Sequence, residues 1–317
     1  MIPNIIAQLL LASSLVQLFP VDGSVLAWQA TDSTGPAPIN FATSWFATLP
    51  VAADRITPPT KIDLDSYGIV TSAASAIVVD DASGAILYSE QPDDVRAIGS
   101  ITKLMTVLVF LDSNPNLNQS VRIIGDDYVG GGRVYLRFDD AVTMRDVLKA
   151  SLVGSDNTAT KALSRFSNLS PEDFLTAMNK KAAELGMTST HYVDVSGVDA
   201  GNVSTARDLT KILSAAAANT IMAQIMPKSQ VSVTQASGYS VDIDATDELL
   251  TSYLNTGDYQ VVAGKTGFIP EAGYCFATLI KHDGHALRVV VLGAESKSAR
   301  FKDAKGLAAW AFKTFSW

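Results

Sequence analysis

The stretch GSITKLMTVLVFLD, Gly99 to Asp112, joins a polar beginning to a long apolar run. The run predicts a buried helix, and Ser100 and Lys103 share one face of its first turn because they are three residues apart. A lysine is costly to bury while it is charged. Burial and the positive end of the helix dipole are both expected to lower the pKa of Lys103. A neutral amine beside a hydroxyl would activate that hydroxyl as a nucleophile.

Taken alone, this pair of residues also has a simpler interpretation. Ser100 would cap the helix, and Lys103 would extend its amine to solvent along the protein surface. The spacing S-x-x-K is too permissive to decide between the two, so the remainder of the chain has to be considered.

Composition limits the classes of function. The 317 residues, 47% hydrophobic and 18% charged, suffice for one large domain or two modest ones. A formal net charge of −8 without a long basic stretch excludes nucleic acid as a partner. One cysteine, Cys275, and three scattered histidines argue against a disulfide framework or a metal site. Cys275 is expected to pack in a strand.

The N-terminal region, residues 1–27, predicts an export signal or a membrane anchor. Its apolar run, Ile5 to Phe19, is followed by Val25 and Ala27, which fit cleavage after Ala27. We expect an exported protein, periplasmic or at the cell surface, with membrane association through the N-terminus only. Residues 28–66 lack a sustained hydrophobic period and predict a linker or an irregular N-terminal wrap.

The rest of the chain, residues 67–317, predicts one α+β domain. A strand hairpin is expected at residues 72–91, helices follow, and strands return after Lys228 before a final helix. This order predicts an α/β sandwich: an antiparallel sheet built from both ends of the domain and flanked by helices. An all-helical subdomain is expected to be inserted at about residues 115–225. Thr143 and Ser170 are expected to cap two of its helices.

Two further motifs lie far from Ser100. Ser155-Asp156-Asn157 stands at the start of a predicted helix, where a serine by itself is an ordinary N-cap. Lys265-Thr266-Gly267 follows a strand-like run, and Gly264 and the glycine of the motif would let another backbone approach closely. Gly-Lys-Thr also ends a phosphate-binding loop, but that loop requires a glycine where this chain has Tyr259.

S-x-x-K, S-D-N and K-T-G in this order form a specific combination. Over about residues 70–317 the chain resembles the serine D-alanyl-D-alanine carboxypeptidases, the low-molecular-mass penicillin-binding proteins whose fold is shared with serine β-lactamases. The blocks ILYSEQPDDVRAIGSITKLMT and GGGRVYLRFDDAVTMRDVLKASLVGSDNTA carry much of the resemblance. There are departures: the family more often has Ser-Gly-Asn as its second motif, usually has asparagine in place of Asp247, and in some members has arginine in place of Thr246.

The resemblance implies that the protein removes the terminal D-alanine of peptidoglycan stem peptides through an acyl-enzyme, without metal or cofactor. It implies Ser100 as nucleophile, Lys103 as base and Ser155 as the group that passes a proton to the leaving D-alanine. Backbone N–H groups of Ser100 and Phe268 would form the oxyanion hole. β-Lactam antibiotics would be covalent inhibitors. The implied substrate-binding residues are Asn157, Lys265, Thr266, Gly267 and Phe268.

Other activities stay open at this point. A DD-endopeptidase that cleaves peptidoglycan cross-links would use the same motifs. A class A β-lactamase needs a deacylating glutamate in an E-x-x-L-N motif, and the best candidate, Glu172, is followed by Leu175 and Thr176 and lies too near Asn157. A non-catalytic wall-binding protein is disfavoured because the motif set is intact.

Overall fold

The computed structural model describes residues 56–317. The predicted export signal and most of the predicted linker lie outside these residues. The strands, numbered in chain order, are β1 (Thr60–Lys61), β2 (Ser75–Asp80), β3 (Ile86–Glu90), β4 (Arg96–Ala97), β5 (Ser120–Arg122), β6 (Ala141–Thr143), β7 (Val203–Ser204), β8 (Gln230–Thr234), β9 (Ser240–Asp244), β10 (Tyr259–Ile269), β11 (Gly273–His282), β12 (His285–Ala294) and β13 (Phe315–Ser316). The α-helices are α1 (Lys103–Asp112), α2 (Met144–Leu152), α3 (Asn157–Arg165), α4 (Pro171–Glu184), α5 (Ala206–Ala218), α6 (Thr220–Ile225) and α7 (Lys297–Thr314). Short 3₁₀ helices cover Gly99–Thr102, Gly125–Asp127, Glu248–Thr251 and Tyr253–Asn255.

The central sheet is antiparallel, with the strand order β10-β11-β12-β2-β3. Strand β2, from the first part of the domain, pairs with β12, from the last part, and Val78 lies opposite Val289. The sheet is therefore built from both ends of the domain. The predicted α+β fold class is confirmed.

Both faces of the sheet are covered. Successive strand residues point to opposite faces, and Ile77 and Val78 accordingly lie in two different hydrophobic cores. The core that contains Ile77 also includes Leu104 of α1 and Leu209 of α5, whereas the core that contains Val78 includes Leu307 of α7. All six residues of β2 are buried as a result.

Two helices between the strand groups begin where their capping residues predict. The Thr143 side chain accepts a hydrogen bond from the backbone N–H of Asp146 at the start of α2. The Ser170 side chain does the same for Asp173 at the start of α4. These bonds satisfy backbone donors that a helix cannot pair internally. The same part of the chain also contains the short strands β5 and β6, which pair with each other.

The start of α3 differs from the simplest sequence interpretation, in which Ser155 is the cap. Asp156 is the N-cap, because its side chain accepts a hydrogen bond from the backbone N–H of Ala159. Ser155 precedes it with φ of 58°, in the left-handed region that few residues other than glycine adopt. This conformation leaves the Ser155 hydroxyl free to make another contact.

Smaller pairings complete the fold. Strands β8 and β9 form their own two-stranded sheet rather than extending the central one. Strand β1 lies within the predicted linker or wrap and pairs with β13, the last strand. Within residues 56–317, no helix has the length and apolar character needed to cross a membrane.

Candidate active site

Ser100 lies in the 3₁₀ turn Gly99–Thr102, which runs directly into α1. Every residue of α1 except Asp112 is buried, so the helix is held by packing on all sides. Gly99 has φ of 54°, and a Cβ atom there would lie only 2.7 Å from the backbone nitrogen of Phe268. The turn therefore brings Ser100 against β10, the strand of the third motif.

Lys103 lies entirely inside the protein, with no exposed surface. Its Nζ donates hydrogen bonds to Ser100 Oγ at 2.8 Å, to Asn157 Oδ1 at 2.7 Å and to the Ser196 carbonyl at 2.6 Å. Burial lowers the pKa of Lys103 to about 7, against the opposing effect of the negative charges of Asp194 and Asp156. The amine is therefore partly neutral near neutral pH.

The three partners of Lys103 determine where a neutral amine would point. A neutral amine keeps two N–H donors and one lone pair. The Asn157 Oδ1 and Ser196 carbonyl oxygens can only accept, so they take the two donors. Of the three partners, only the Ser100 hydroxyl can then donate to the lone pair. The geometry is that of a base directed at one hydroxyl.

Ser155 and Lys265 form a second pair beside the first. Lys265 is 1% exposed, and its Nζ donates to Ser155 Oγ at 2.8 Å and to the Thr266 carbonyl at 3.1 Å. Burial, with Lys103 and Arg300 nearby, lowers the pKa of Lys265. The second and third motifs, 110 positions apart at this contact, thus meet side chain to side chain.

Asn157 connects the second motif to Lys103 and to the glycine segment that begins at Gly130. Its Oδ1 accepts from Lys103, and its Nδ2 donates to the Gly130 carbonyl at 2.8 Å. A Cβ atom on Gly132 would lie 3.1 Å from Nδ2. The glycines of the sequence GGGR therefore leave room for this amide.

The remaining residues of the third motif line the same cleft. The Thr266 hydroxyl donates to Thr246 Oγ1 at 2.8 Å. Phe268 is 49% exposed and stacks on Tyr274 with ring centroids 4.4 Å apart. A Cβ atom on Gly267 would overlap the backbone oxygen of Ile98, so this glycine is required for β10 to approach the turn that carries Ser100.

The structure brings the eight predicted site residues together. A cleft of about 400 Å³ is lined by six of them, Ser100, Ser155, Asn157, Thr266, Gly267 and Phe268. Lys103 and Lys265 lie buried beneath it and reach it through the hydroxyls of Ser100 and Ser155. Among residues 56–317 there is no group of three or more His, Cys, Asp or Glu side chains placed to hold a metal ion.

Sequence reasoning missed the turn that carries Ser196. The Asp194 carboxylate accepts hydrogen bonds from the backbone N–H groups of Ser196 and Gly197 and from the Asn202 side chain. This network holds the Ser196 carbonyl on Lys103, 93 residues away in sequence. Asp194, Gly197 and Asn202 of the sequence DVSGVDAGN are typical of a tight turn. They do not indicate that this turn lies against Lys103.

Sequence reasoning also missed Arg300. This residue lies on α7, is 5% exposed, and donates from Nη1 to the Gly267 carbonyl at 3.1 Å. Arg300 also lines the cleft. No local pattern distinguishes it from the other basic residues of α7, because its significance depends on how the helix packs on β11 and β12 and brings Arg300 to Gly267.

Comparison with known proteins agrees with this geometry. A family model for D-alanyl-D-alanine carboxypeptidase matches residues 65–296. The D-alanyl-D-alanine endopeptidase of Pseudomonas aeruginosa is 35% identical over 269 residues, covering 84% of this chain and 85% of that protein. A D-alanyl-D-alanine carboxypeptidase of a Streptomyces species is 32% identical over 259 residues, 76% of this chain and 87% of that one.

Solved structures of DD-peptidases have a similar fold. The crystal structure of a Streptomyces DD-transpeptidase matches with a TM-score of 0.72 at 29% identity, covering 78% of this chain and all of that one. The family match, the long alignments to DD-peptidases and the shared fold are consistent with one another. The chain belongs to the serine D-alanyl-D-alanine carboxypeptidase family.

Proposed function

We propose that this protein is a serine D-alanyl-D-alanine carboxypeptidase that removes the terminal D-alanine from peptidoglycan stem peptides through an acyl-enzyme on Ser100. The observation that carries the proposal is the set of contacts of Lys103. Of the three groups on its amine, only the Ser100 hydroxyl can donate a proton to it. A buried base aimed at one serine is the arrangement that nucleophilic catalysis requires.

In the acylation step, Ser100 Oγ attacks the carbonyl of the bond between the two D-alanines. The hydroxyl proton passes to Lys103 Nζ as the new C–O bond forms. The backbone N–H groups of Ser100 and Phe268 are proposed to stabilise the oxyanion, where one such donor is worth about 3 kcal/mol. The close approach of the Gly99 turn to the Phe268 nitrogen supports this assignment.

The leaving group and the terminal carboxylate are assigned to the second and third motifs. Ser155, which Lys265 holds by a hydrogen bond, is proposed to pass a proton to the departing D-alanine amine and to regain one from Lys103, which took it from Ser100. Lys265 and the Thr266 hydroxyl are proposed to bind the terminal carboxylate, and Asn157 a substrate amide. The outer edge of β10 would pair with the substrate as an added strand. Water then hydrolyses the ester on Ser100.

A fluorescent penicillin tests the acyl-enzyme directly. We expect one covalent label per molecule, located on Ser100 by peptide mapping, and no label on Ser100→Ala. Ser113→Ala is the matched control, because Ser113 directly follows α1 and, within residues 56–317, its hydroxyl donates only to the Phe110 carbonyl. Folded wild-type protein that takes no label would overturn the proposal. Rapid turnover of the label would indicate a β-lactamase instead.

Endopeptidase action on cross-links is a second candidate, favoured by a specific observation. The Pseudomonas aeruginosa relative named an endopeptidase is 35% identical over 84% of this chain. Both reactions cleave a bond after a D-alanine carbonyl and differ in the group that leaves. If the leaving group of a cross-link had no free carboxylate at the position assigned to Lys265, this lysine would not bind a substrate carboxylate in the endopeptidase reaction.

A digest that offers both substrates decides between the two activities. Purified pentapeptide monomers and cross-linked dimers are mixed with the enzyme at equal concentration, and products are identified by mass. For the proposed carboxypeptidase, we expect loss of one D-alanine from monomers to be faster than conversion of dimers to monomers. The reverse order would assign the endopeptidase reaction as the main one.

Family membership indicates action outside the cytoplasm, where peptidoglycan is located. We propose that residues 1–27 direct export and that cleavage after Ala27 leaves residues 28–66 ahead of the catalytic domain. Mass measurement of the protein recovered from cells tests this division. A mature N-terminus at Trp28 is expected, and an intact Met1 would instead support an uncleaved membrane anchor.

A further inference from the structure

A carboxyl group that the proposed mechanism does not use lies behind the third motif. Asp247 is 6% exposed, and it precedes the 3₁₀ helix Glu248–Thr251. Its Oδ1 accepts a hydrogen bond from the Leu249 backbone N–H at 2.9 Å. Its Oδ2 is buried and has no hydrogen-bond partner within residues 56–317. A buried carboxylate normally accepts several hydrogen bonds, so this oxygen calls for an explanation.

The unpartnered oxygen lies against the backbone of β10. A Cβ atom on Gly264 would overlap Oδ2, so only a glycine fits at that position. Gly264 directly precedes Lys265, the residue proposed to bind the substrate carboxylate. The sequence predicted that Gly264 would let another backbone approach β10 closely. The group that approaches Gly264 is instead the side chain of Asp247. Asp247 therefore lies close enough to the third motif for its charge to affect the binding of an anionic substrate group.

The groups that face Asp247 come from each element around it. Lys265 of β10 and Arg300 of α7 attract its negative charge, and Glu248 of its own segment repels it. Glu248 is half-exposed and forms an ion pair with Lys297 at 2.8 Å. Strand β11 contributes Phe276, which is apolar and packs near Gly264.

Two buried basic side chains thus lie near one buried carboxyl without forming an ion pair with it. Lys265 and Arg300 have no carboxylate within ion-pair distance in the described part of the chain. Burial raises the pKa of Asp247 to about 7, with its hydrogen bond from Leu249 and the two cations opposing this. The carboxyl therefore changes charge near neutral pH in the empty site.

A bound substrate would bring a second carboxylate to the same two cations. Two carboxylates in one poorly solvated site repel each other strongly, and one of them then holds a proton. Resting on the carboxylate-binding role proposed for Lys265, we propose that Asp247 takes up a proton from solvent when the terminal carboxylate of the substrate binds. Asp247 is then a positioning residue that makes substrate affinity depend on pH.

The sign of this dependence follows from linkage. Below about pH 7 Asp247 is already protonated in the empty site, so binding needs no additional proton and KM is constant. Above about pH 7 each bound substrate requires one proton, so KM rises by up to tenfold per pH unit. An asparagine at position 247 carries no charge, so substrate binding to that variant would require no proton.

The experiment measures KM and kcat separately from about pH 6 to pH 9, with an N-acetylated tripeptide that ends in D-alanyl-D-alanine. We expect KM of the wild type to rise above about pH 7 and KM of Asp247→Asn to stay within about twofold of its value at low pH. Asp258→Asn is the matched control, because Asp258 is exposed and lies in the turn before β10. It should follow the wild type.

A second measurement uses the wild type alone, so it does not depend on how a variant folds. The same peptide with a C-terminal carboxamide has no carboxylate to bind, and its KM should be constant over the range. The assignment would be overturned if the wild-type KM for the peptide with a free C-terminal carboxylate did not change with pH. It would also be overturned if KM still rose with pH in Asp247→Asn, because Lys265 would then be the group that takes up the proton. Absence of both hydrolysis and penicillin labelling would instead refute the proposed function.

Discussion

At the scale of single residues, the side chain of Lys103 shows how burial lowers the pKa of an amine, as its proposed role as a base requires. Its pKa is lowered to about 7 chiefly because the surrounding protein does not solvate the charge. Its two carbonyl partners, on Asn157 and Ser196, then direct the lone pair at Ser100. Poor solvation of the charge therefore lowers the pKa of the amine, and its hydrogen bonds orient the lone pair of the amine.

This leads to a pH prediction for acylation. In the proposed acylation step the neutral form of Lys103 accepts the proton. The acylation rate should therefore rise with pH up to about pH 7 and level off above it, falling up to tenfold per pH unit on the acidic side. The rate of labelling by saturating fluorescent penicillin from about pH 5 to pH 9 measures it.

Two variants control this measurement. Lys103→Met should show no labelling at any pH, since it keeps the apolar stem and removes the amine. Lys313→Met removes an exposed lysine near the end of α7 and should behave as the wild type. A wild-type rate that does not change across the range would contradict Lys103 as the base.

Ser155 and Asp156 illustrate how sequence pattern fails at this scale. The sequence predicts a helix start at this point, and a helix does start there. The cap is Asp156, however, and Ser155 has a left-handed φ and contacts Lys265. The energies of the two capping choices are similar, so the contact with a lysine 110 residues away decides which is used.

At the scale of elements, the site depends on close contact between backbones. The 3₁₀ turn Gly99–Thr102 is held between β10 and the turn that carries Ser196. A Cβ atom on Gly267 would overlap the Ile98 carbonyl oxygen, and one on Gly197 would overlap the Gly99 carbonyl oxygen. These contacts leave no space for a side chain. Gly267 therefore allows β10, and Gly197 allows the turn that carries Ser196, to lie directly against the turn that carries Ser100.

We therefore predict a large effect from Gly267→Ala. The added methyl group must push β10 away from the nucleophile turn, because the atom it meets belongs to the backbone. The free energy of unfolding should fall by about 1–3 kcal/mol. The rate of penicillin labelling should also fall, because the Phe268 N–H would move away from Ser100.

Gly125→Ala is the matched control for this prediction. Gly125 has no atom near the position of an added Cβ and does not have a positive φ. Urea unfolding followed by labelling of the folded protein compares the two variants. Equal stability and equal labelling of Gly267→Ala and wild type would show that β10 has more freedom than its contacts indicate.

At the scale of the whole molecule, the first and last parts of the domain hold each other in place. The Asp303 carboxylate of α7 accepts hydrogen bonds from the Ser72 backbone N–H at 2.9 Å and the Ser72 hydroxyl at 2.7 Å. Trp317 Nε1 donates to Asp80 Oδ1 at 2.7 Å. Strand β10, which contains Lys265, is held at one edge of a sheet whose strands come from both of these parts.

Asp303→Ala should therefore destabilise the fold without altering the site. Removing the acceptor leaves the Ser72 N–H and hydroxyl without their partner, which costs about 1–3 kcal/mol in the free energy of unfolding. Urea unfolding measures this loss, and penicillin labelling of the folded variant should equal that of the wild type. Asp258→Ala, an exposed control, should change neither. A stability unchanged by Asp303→Ala would contradict a structural role for this contact.

Much of the architecture could be predicted because it rests on local pattern. Strand β10 (Tyr259–Ile269) lies where strands were expected to return after Lys228, and the caps Thr143 and Ser170 begin helices where expected. Alternating burial and capping depend on neighbours a few residues away, which sequence displays directly. The separate pairing of β8 with β9 was not predicted, since strand pattern does not identify the sheet to which a strand belongs.

Sequence pattern alone was enough to identify the three motifs, the family resemblance and the fold class, since each depends on residue types in a fixed order. Tertiary structure decided the rest: the three partners of Lys103, the contact of Lys265 with Ser155, and the presence of Arg300 and Asp247 beside β10. The physical reason is that pKa and hydrogen-bond direction depend on burial and on distant segments. No window of sequence contains that information.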